Sequence, residues 1–200
     1  MDFINEQEAR ELLVQHGNKL LSSGLVQGTW GNLSIRINSE YMICTPSGLD
    51  YTRLGPEDMV KVNLYTLEYD EEHENKPTSE KGFHSQIYLT HPDAGAVVHA
   101  HSLYSCIYAA CSKDMNIKNV VTAGIIGKKI PCADYGMAGT EKLTKNIIAA
   151  LRKSGAKGCF MDHHGMVCYG KDMKDAFRNA LTIEESAKKH IEAKWNKLNK

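Results

Sequence analysis

The segment at residues 96–101, Ala-Val-Val-His-Ala-His, constrains the fold of this chain most strongly. Polar and apolar side chains alternate in it as they do along a β-strand, where successive residues point to opposite faces. His99 and His101 therefore share one face, close enough for both imidazoles to bind a single cation. Imidazole is a ligand for zinc and for its neighbours in the first transition row. The pattern predicts a buried strand whose two histidines either bind a metal or, as is more common for such a pair alone, only pack in the core.

Two other segments favour a metal site over histidines that only pack in a core. His163 and His164 precede a glycine in a predicted turn, and Glu80 ends a Pro-Thr-Ser-Glu segment. Three histidines and one carboxylate make a four-ligand site whose carboxylate a substrate could displace. A purely structural zinc site is the alternative, although such sites are usually rich in cysteine. Spacing alone does not choose between His163 and His164.

Two glycine-containing loops offer hydrogen-bond donors to an anion. Residues 27–34, Gln-Gly-Thr-Trp-Gly-Asn-Leu-Ser, combine backbone N–H groups with hydroxyl and amide side chains, and Pro-Ser-Gly at 46–48 makes a further turn. Loops of this composition can hold an oxyanion, most obviously a phosphate. An ordinary helix-to-strand turn is the alternative for the first loop.

Composition limits the class of protein. With 200 residues and 42% hydrophobic content, the chain can bury a sizeable core, and we expect one domain over residues 1–200. Lys plus Arg equals Asp plus Glu at 24 each, so no net charge attracts nucleic acid or an anionic membrane. No apolar run approaches the ~20 residues of a membrane span, and no signal peptide is evident. We expect a cytoplasmic protein whose six scattered cysteines stay reduced.

Hydrophobic periodicity and capping residues predict alternating helices and strands. Thr78 or Ser79 is expected to cap the second helix, which would place Glu80 in its first turn, where the helix dipole favours a carboxylate. Helices are expected at 5–23, 79–90, 102–111, 139–153 and from 172 onward, and strands at 33–37, 41–45, 60–64, 66–69, 96–101, 130–133, 158–161 and 166–169.

Six short segments, taken together and in this order, resemble the class II aldolase/adducin family, most closely its L-fuculose-1-phosphate aldolase branch. The resemblance covers nearly the whole chain. It implies an α/β fold with three layers (α/β/α) around a central, mainly antiparallel but mixed sheet. It also implies a homotetramer with active sites between neighbouring subunits. The segments are residues 28–34, 45–48, 77–80, 98–101, 130–133 and 163–165.

Matching motif to motif, the resemblance implies one Zn²⁺ per subunit and a phosphate site. In the His-His-Gly motif the ligand of the family is the second histidine. The implied metal ligands are Glu80, His99, His101 and His164. The implied phosphate-binding residues are Thr29, Asn32, Ser47, Gly48, Thr78 and Ser79.

The activity that the resemblance implies is a lyase reaction of carbohydrate metabolism, including fucose metabolism. A ketose 1-phosphate, either L-fuculose 1-phosphate or a related sugar such as a 5-deoxypentulose, would be cleaved reversibly to dihydroxyacetone phosphate and an aldehyde. Zinc would stabilise the negative charge of the enediolate. Glu80, released from the metal by the substrate, would carry the proton of the enediolate carbon.

The chain departs from the aldolase branch at two tyrosines. Val120 stands where the branch has the Tyr thought to protonate the departing aldehyde, and residues 195–200 lack the Tyr of the branch's C-terminal tail. A pentulose-5-phosphate 4-epimerase of the same fold is one alternative, although those enzymes typically carry Asp where Glu80 stands. A family dehydratase is disfavoured because residues 120–123 supply no Glu. A non-catalytic adducin-like interaction module is the alternative from another class, but such members lose the metal ligands.

Overall fold

A computed structural model describes residues 3–199, so residues 1, 2 and 200 of the expected domain lie outside the described part. The strands in the described range are β1 (Gly31–Arg36), β2 (Tyr41–Cys44), β3 (Val60–Asn63), β4 (Ala96–Ala100), β5 (Met115–Asn116), β6 (Lys129–Ile130), β7 (Cys132–Ala133), β8 (Gly158–Met161) and β9 (Gly165–Gly170). Seven of them form one sheet in the order β3-β2-β1-β4-β9-β8-β7, while β5 and β6 pair separately. In the large sheet β7 and β8 run parallel and the other neighbours run antiparallel.

Helices cover both faces of the sheet. They are α1 (Glu6–Ser22), α2 (Lys81–Thr90), α3 (Leu103–Ala110), α4 (Val120–Ile126), α5 (Glu141–Ser154) and α6 (Met173–Leu198). One buried cluster joins the sheet to α1, α3, α4 and α6, and a second joins it to α2 and α5. The predicted three-layer α/β/α fold with a mixed sheet is therefore confirmed. None of the helices described at residues 3–199 is long and apolar enough to cross a membrane.

Capping residues start three helices within two residues of the starts that the sequence predicts. The Asn5 side chain accepts a hydrogen bond from the N–H of Glu8 and starts α1. Thr140 caps α5 and Asp172 caps α6 in the same way. These side chains satisfy backbone donors that the first turn of a helix leaves without partners.

Two local predictions are wrong. Residues 66–69 are not a strand: the side-chain oxygen of Asn63 accepts from the N–H groups of Tyr65 and Thr66, which closes a turn and leaves a single bridge to β3. Glu80 is not in the first turn of α2, because the helix begins one residue later and the Thr78 hydroxyl accepts from the Glu80 N–H. The Glu80 carboxylate therefore caps nothing and is free to face the sheet.

The central strand β4 lies between β1 and β9 and presents two different faces. Ala96, Val98 and Ala100 belong to the cluster under α1, α3, α4 and α6, whereas Val97 belongs to the cluster under α2 and α5. His99 points to the second side, where its ring meets the Phe83 ring of α2 edge-on at 5.7 Å between centroids. The alternation predicted from the sequence is thus confirmed, and it directs the histidines toward α2.

Candidate active site

Three imidazoles converge at the end of β4. His99 lies in the strand, His101 follows it directly, and His164 lies in the turn that connects β8 to β9. Because β9 pairs with β4, that turn comes to the end of β4 that carries the histidines. One ring nitrogen from each histidine lies within 4.8 Å of the others, so the three could hold a metal ion. The structure brings together the three histidines that the family resemblance implies.

The Glu80 carboxylate faces this group. Its Oε2 is 3.1 Å from His99 Nε2, and its Oε1 is 3.4 Å from His164 Nε2. Oε1 is also one of two buried side-chain atoms in the described residues that lack a hydrogen-bond partner. A buried oxygen without a donor costs free energy, which a cation at this point would recover.

A hydrogen bond to the backbone fixes the Nδ1 proton of His99 away from the group. Its Nδ1 donates to the Met166 carbonyl at 2.8 Å, so in the neutral ring Nε2 carries a lone pair. That Nε2 lies 3.0 Å from His101 Nε2 and faces the Glu80 carboxylate. When the rings are neutral, atoms with lone pairs converge here. The His99 ring also donates to a backbone carbonyl, as metal-binding histidines commonly do. Three imidazoles and one carboxylate fit zinc or a neighbouring divalent metal.

The pKa shifts at the site favour an ionised Glu80 and neutral rings at His101 and His164. Burial would raise the pKa of Glu80, but the charge of His99 and hydrogen bonds from His99 and Asn32 outweigh it and lower the pKa, which keeps the carboxylate ionised. Burial, with His99 and His164 nearby, lowers the pKa of His101 to about 3. Burial also lowers the pKa of His164.

Burial would lower the pKa of His99, but the charge of Glu80 and hydrogen bonds to Glu80 and Met166 outweigh it and raise the pKa. Without a metal, His99 and Glu80 therefore form an ion pair. A bound metal would displace the proton from His99 Nε2 and leave the neutral imidazoles and ionised carboxylate that act as metal ligands.

A buried chain of hydrogen bonds, here called the polar chain, extends from Glu80 into the protein. Asn32 Nδ2 donates to Glu80 Oε2 at 2.9 Å, and Asn32 Oδ1 lies 2.6 Å from His84 Nε2. His84 Nδ1 lies 2.7 Å from the Ser34 hydroxyl, which lies 2.7 Å from the Tyr88 hydroxyl. Asn32 and Ser34 are in β1, and Asn32 sits opposite His99 in the register with β4. The register therefore holds the amide next to the histidines.

A cavity of about 210 Å³ opens beside Glu80, His101 and His164. The two loops at its rim are held together by backbone bonds, from Ser47 N to the Lys76 carbonyl at 3.0 Å and from Thr78 N to the Thr45 carbonyl at 3.1 Å. All six residues expected to bind phosphate line this cavity: Thr29, Asn32, Ser47, Gly48, Thr78 and Ser79. The Asn32 amide, however, already bonds Glu80 and His84, so one N–H of its Nδ2 is left for a ligand.

Four lining residues are outside the expected site set: Trp30, Gly31 and Pro46, which the sequence analysis named only as parts of loops, and Ala138, which it did not consider. Trp30 lines the cavity with 64% of its surface exposed, and its ring centroid is 6.3 Å from that of His101. Ala138, in the segment before α5, lines the cavity as well. A tryptophan between a Thr and a Gly, in a loop expected to hold an anion, is the sequence signal that could have identified Trp30.

The structure separates the two adjacent histidines of the turn. His163 has a positive φ of 56°, and its ring, whose side chain is 61% exposed, bonds Asp162 at 2.8 Å. His164 turns inward to the group instead. The left-handed conformation at His163 is uncommon for a residue other than glycine.

Comparison with known proteins identifies the family. The family description "Class II Aldolase and Adducin N-terminal domain" matches residues 11–191. The chain belongs to the class II aldolase and adducin family. The resemblance noted in the sequence is thereby confirmed, and so is the expectation of an enzyme of the lyase class similar to L-fuculose phosphate aldolase. Members of this family are typically metal-dependent, in agreement with the histidine group.

Individual members of the aldolase family are similar over most of their length. The 5-methylthioribulose-1-phosphate/5-deoxyribulose-1-phosphate aldolase of Rhodospirillum rubrum is 34% identical, over 90% of this chain and 79% of its own length. The L-fuculose phosphate aldolase of Escherichia coli is 30% identical, over 84% of this chain and 75% of its own length. Among solved structures, an L-fuculose 1-phosphate aldolase has a TM-score of 0.88 at 28% identity, covering 96% of this chain and 89% of its own.

Proposed function

We propose that this aldolase-family enzyme cleaves a ketose 1-phosphate reversibly to dihydroxyacetone phosphate and an aldehyde, with one Zn²⁺ per subunit. The proposed metal ligands are Glu80, His99, His101 and His164. The observation that carries the proposal is the buried Glu80 carboxylate, whose oxygen without a partner faces three histidines beside a cavity rich in neutral donors. Relatives named for fuculose phosphate and for 5-deoxyribulose 1-phosphate support this class of substrate.

The cavity supplies the binding of the phosphate. Hydroxyl groups and loop N–H groups donate to phosphate oxygens without placing a fixed positive charge in the site. Holding the phosphate at this rim brings the carbons at the other end of the triose unit toward Glu80 and the histidines, which lowers the entropic part of the barrier. The residues proposed for this role are Thr29, Asn32, Ser47, Gly48, Thr78 and Ser79.

Cleavage moves one electron pair, and it moves one proton from the C4 hydroxyl through Glu80 to C3. When the C3–C4 bond breaks, its electron pair stays on C3, and C4 becomes the aldehyde carbon as its hydroxyl loses a proton. A divalent metal at the histidines supplies Lewis-acid stabilisation for the negative charge that develops on the substrate oxygens. Glu80, which is ionised at the start, takes up the proton that the C4 hydroxyl releases and delivers it to C3, and in the direction of synthesis the proton follows the reverse path. Asn32 holds Oε2, so Oε1 is the oxygen free for this exchange.

The residue at the position expected to protonate the departing aldehyde differs from that of the L-fuculose branch. Val120, the first residue of α4, carries no acidic proton and is 85% exposed. The tyrosine of that branch therefore has no counterpart at this position. We propose a related ketose 1-phosphate, such as a 5-deoxypentulose 1-phosphate, as the substrate, in keeping with the relatives from Rhodospirillum rubrum and Bacillus thuringiensis.

A homotetramer with active sites between subunits belongs to the same proposal. Val120 and Val121 at the start of α4 and Trp195 near the end of α6 are large apolar residues that the single chain leaves exposed. An assembly that covers them would remove apolar surface from water. Light scattering of the purified protein should give four times the mass of one chain, and a monomer mass would refute this part.

The Glu80→Gln variant tests the proposed function. Glutamine keeps the size of the side chain and one carboxyl-like oxygen but cannot exchange a proton at neutral pH. We expect an unchanged far-ultraviolet circular dichroism spectrum, most of the zinc, and a loss of turnover of at least about 10²-fold. His99→Ala is the comparison variant, which should lose the metal itself. Unchanged turnover in Glu80→Gln would exclude Glu80 as the proton carrier, and full zinc occupancy in His99→Ala would exclude His99 as a ligand.

A further inference from the structure

The two ends of the Asn32 amide have opposite hydrogen-bonding character, which gives the polar chain a direction. An ionised carboxylate only accepts, so the group 2.9 Å from Glu80 Oε2 must be the donating Nδ2. The amide oxygen then faces His84 Nε2 at 2.6 Å. Because an amide oxygen only accepts, Nε2 of His84 must carry a proton.

That requirement fixes the rest of the chain. A neutral imidazole has one N–H, so Nδ1 of His84 must accept, and the Ser34 hydroxyl at 2.7 Å donates to it. The oxygen of Ser34 then accepts from the Tyr88 hydroxyl at 2.7 Å. Each hydrogen bond of the polar chain is thus donated toward Glu80: from Tyr88 to Ser34, from Ser34 to His84, from His84 to Asn32 and from Asn32 to Glu80. Every donor and acceptor is assigned once the carboxylate is ionised.

Burial removes the alternatives. Ser34 and His84 are fully buried, so water cannot replace a lost partner. The His84 ring stacks on Phe83, with centroids 4.8 Å apart and planes inclined by 21°, which fixes the plane of the ring. If the Asn32 amide were turned over, its oxygen would face Glu80 Oε2, and two acceptors would repel each other.

We infer that His84 and Ser34 are positioning residues, which fix the orientation of the Asn32 amide and through it the orientation of the Glu80 carboxylate. They touch neither the substrate nor the histidine group. Their effect is to keep Oε2 bound to Asn32 so that Oε1 stays directed at His164. The effect on turnover rests on the proposed function, whereas the protonation pattern of His84 rests on the hydrogen bonds alone.

The first test reads the tautomer of His84 by ¹⁵N NMR in the full-length, zinc-loaded protein. The His84 resonance is assigned by its loss in the His84→Phe variant. We expect Nε2 to show the shift of a protonated ring nitrogen and Nδ1 that of an unprotonated one. A proton on Nδ1, or on both nitrogens, at pH 7.5 would overturn the inference, whatever the activity of the enzyme.

The second test measures zinc affinity and steady-state kinetics of His84→Phe. Phenylalanine keeps the stacked ring and removes the donor to Asn32. We expect a fall of about 10- to 100-fold in kcat or in zinc affinity, with KM nearly unchanged, as is typical when a group that orients a site residue is lost. His84→Gln retains an N–H donor and should recover part of the loss.

The matched control is His16→Phe, because His16 is also a buried histidine but lies in α1, on the other side of the sheet. It should retain wild-type zinc affinity and kcat. Equal values for wild type, His84→Phe and the control would overturn the positioning role. If His84→Phe does not fold, Ser34→Ala is measured in its place. A loss of kcat or zinc affinity smaller than that expected for His84→Phe supports the inference. A kcat and a zinc affinity equal to those of the wild type overturn it. If the wild type turns over no ketose 1-phosphate, the proposed function fails, while the tautomer and the zinc affinity still decide this inference.

Discussion

Replacing His84 by glutamine should change how the stability of the protein depends on pH. Burial lowers the pKa of His84 to about 3 from an ordinary value of 6.5. Because the folded state resists the proton and the unfolded chain accepts it, acid favours unfolding. The contribution of the neutral His84 ring to the free energy of unfolding is fully present above pH 6.5. It is lost progressively as the pH falls from 6.5 toward 3.

The magnitude follows from the size of this shift. Each pH unit below 6.5 at which the folded state stays unprotonated costs about 1.4 kcal/mol. At pH 5 the loss attributable to His84 is therefore about 2 kcal/mol, a large share of the stability of a typical domain. Other histidines with lowered pKa values, such as His16 and His91, contribute equally to wild type and variant.

The assay is urea unfolding of wild type and His84→Gln at pH 7.5 and pH 5, at one chain concentration and in the metal-free protein. Glutamine does not titrate, so the free energy of unfolding of the variant should fall by about 2 kcal/mol less over this range. At pH 7.5 the variant itself should be less stable by about 1–3 kcal/mol, because the buried partners of the imidazole lose bonds. Parallel pH dependence of the two proteins would refute the reasoning.

Three other substitutions test the surroundings of the site. Gly165→Ala would put a Cβ 2.6 Å from the Ala100 carbonyl oxygen. We expect the free energy of unfolding to fall by about 1–3 kcal/mol and calorimetry to show weaker zinc binding. Wild-type values would show that the turn accommodates the methyl group without strain. Glu184→Ala removes the carboxylate that accepts from the Ser102 hydroxyl and from the N–H and hydroxyl of Ser105 at the start of α3. Urea unfolding should show a loss of about 1.5–3 kcal/mol in the free energy of unfolding. A change within about 0.5 kcal/mol, roughly the scatter for surface sites, would contradict this. Trp30→Ala should raise KM for the sugar phosphate by roughly 2- to 10-fold with zinc content unchanged, and an unaltered KM would remove Trp30 from the binding site.

Features set by neighbouring residues could be predicted from the sequence. The alternation in β4 assigns Val97 and His99 to one face because a strand has a fixed period of two. The caps at Asn5 and Asp172 could be predicted because the acceptor lies three residues from its donor. The left-handed turn at His163, by contrast, is a local backbone choice that no periodicity reveals.

The orientation of Glu80 could not be predicted in the same way. Helix propensity and the helix dipole place it in a first turn, but its carboxylate is held by Asn32, 48 positions earlier in the chain. His84 is likewise 52 positions from its amide partner. Such contacts depend on the register of β1 against β4 and on the packing of α2, which are properties of the assembled sheet. Strand spacing paired His99 with His101, whereas the choice of His164 over His163 came from the resemblance to the family.

We propose that this enzyme breaks a carbon–carbon bond in a ketose 1-phosphate with the help of a bound metal and Glu80. NMR of the zinc-loaded protein with a panel of ketose phosphates, with and without a chelator, tests it most directly. We predict that dihydroxyacetone phosphate forms from a ketose 1-phosphate, that the chelator stops its formation, and that Glu80→Gln does not form it. Inversion at C4 of a pentulose 5-phosphate without any triose phosphate would contradict the claim and make the protein an epimerase.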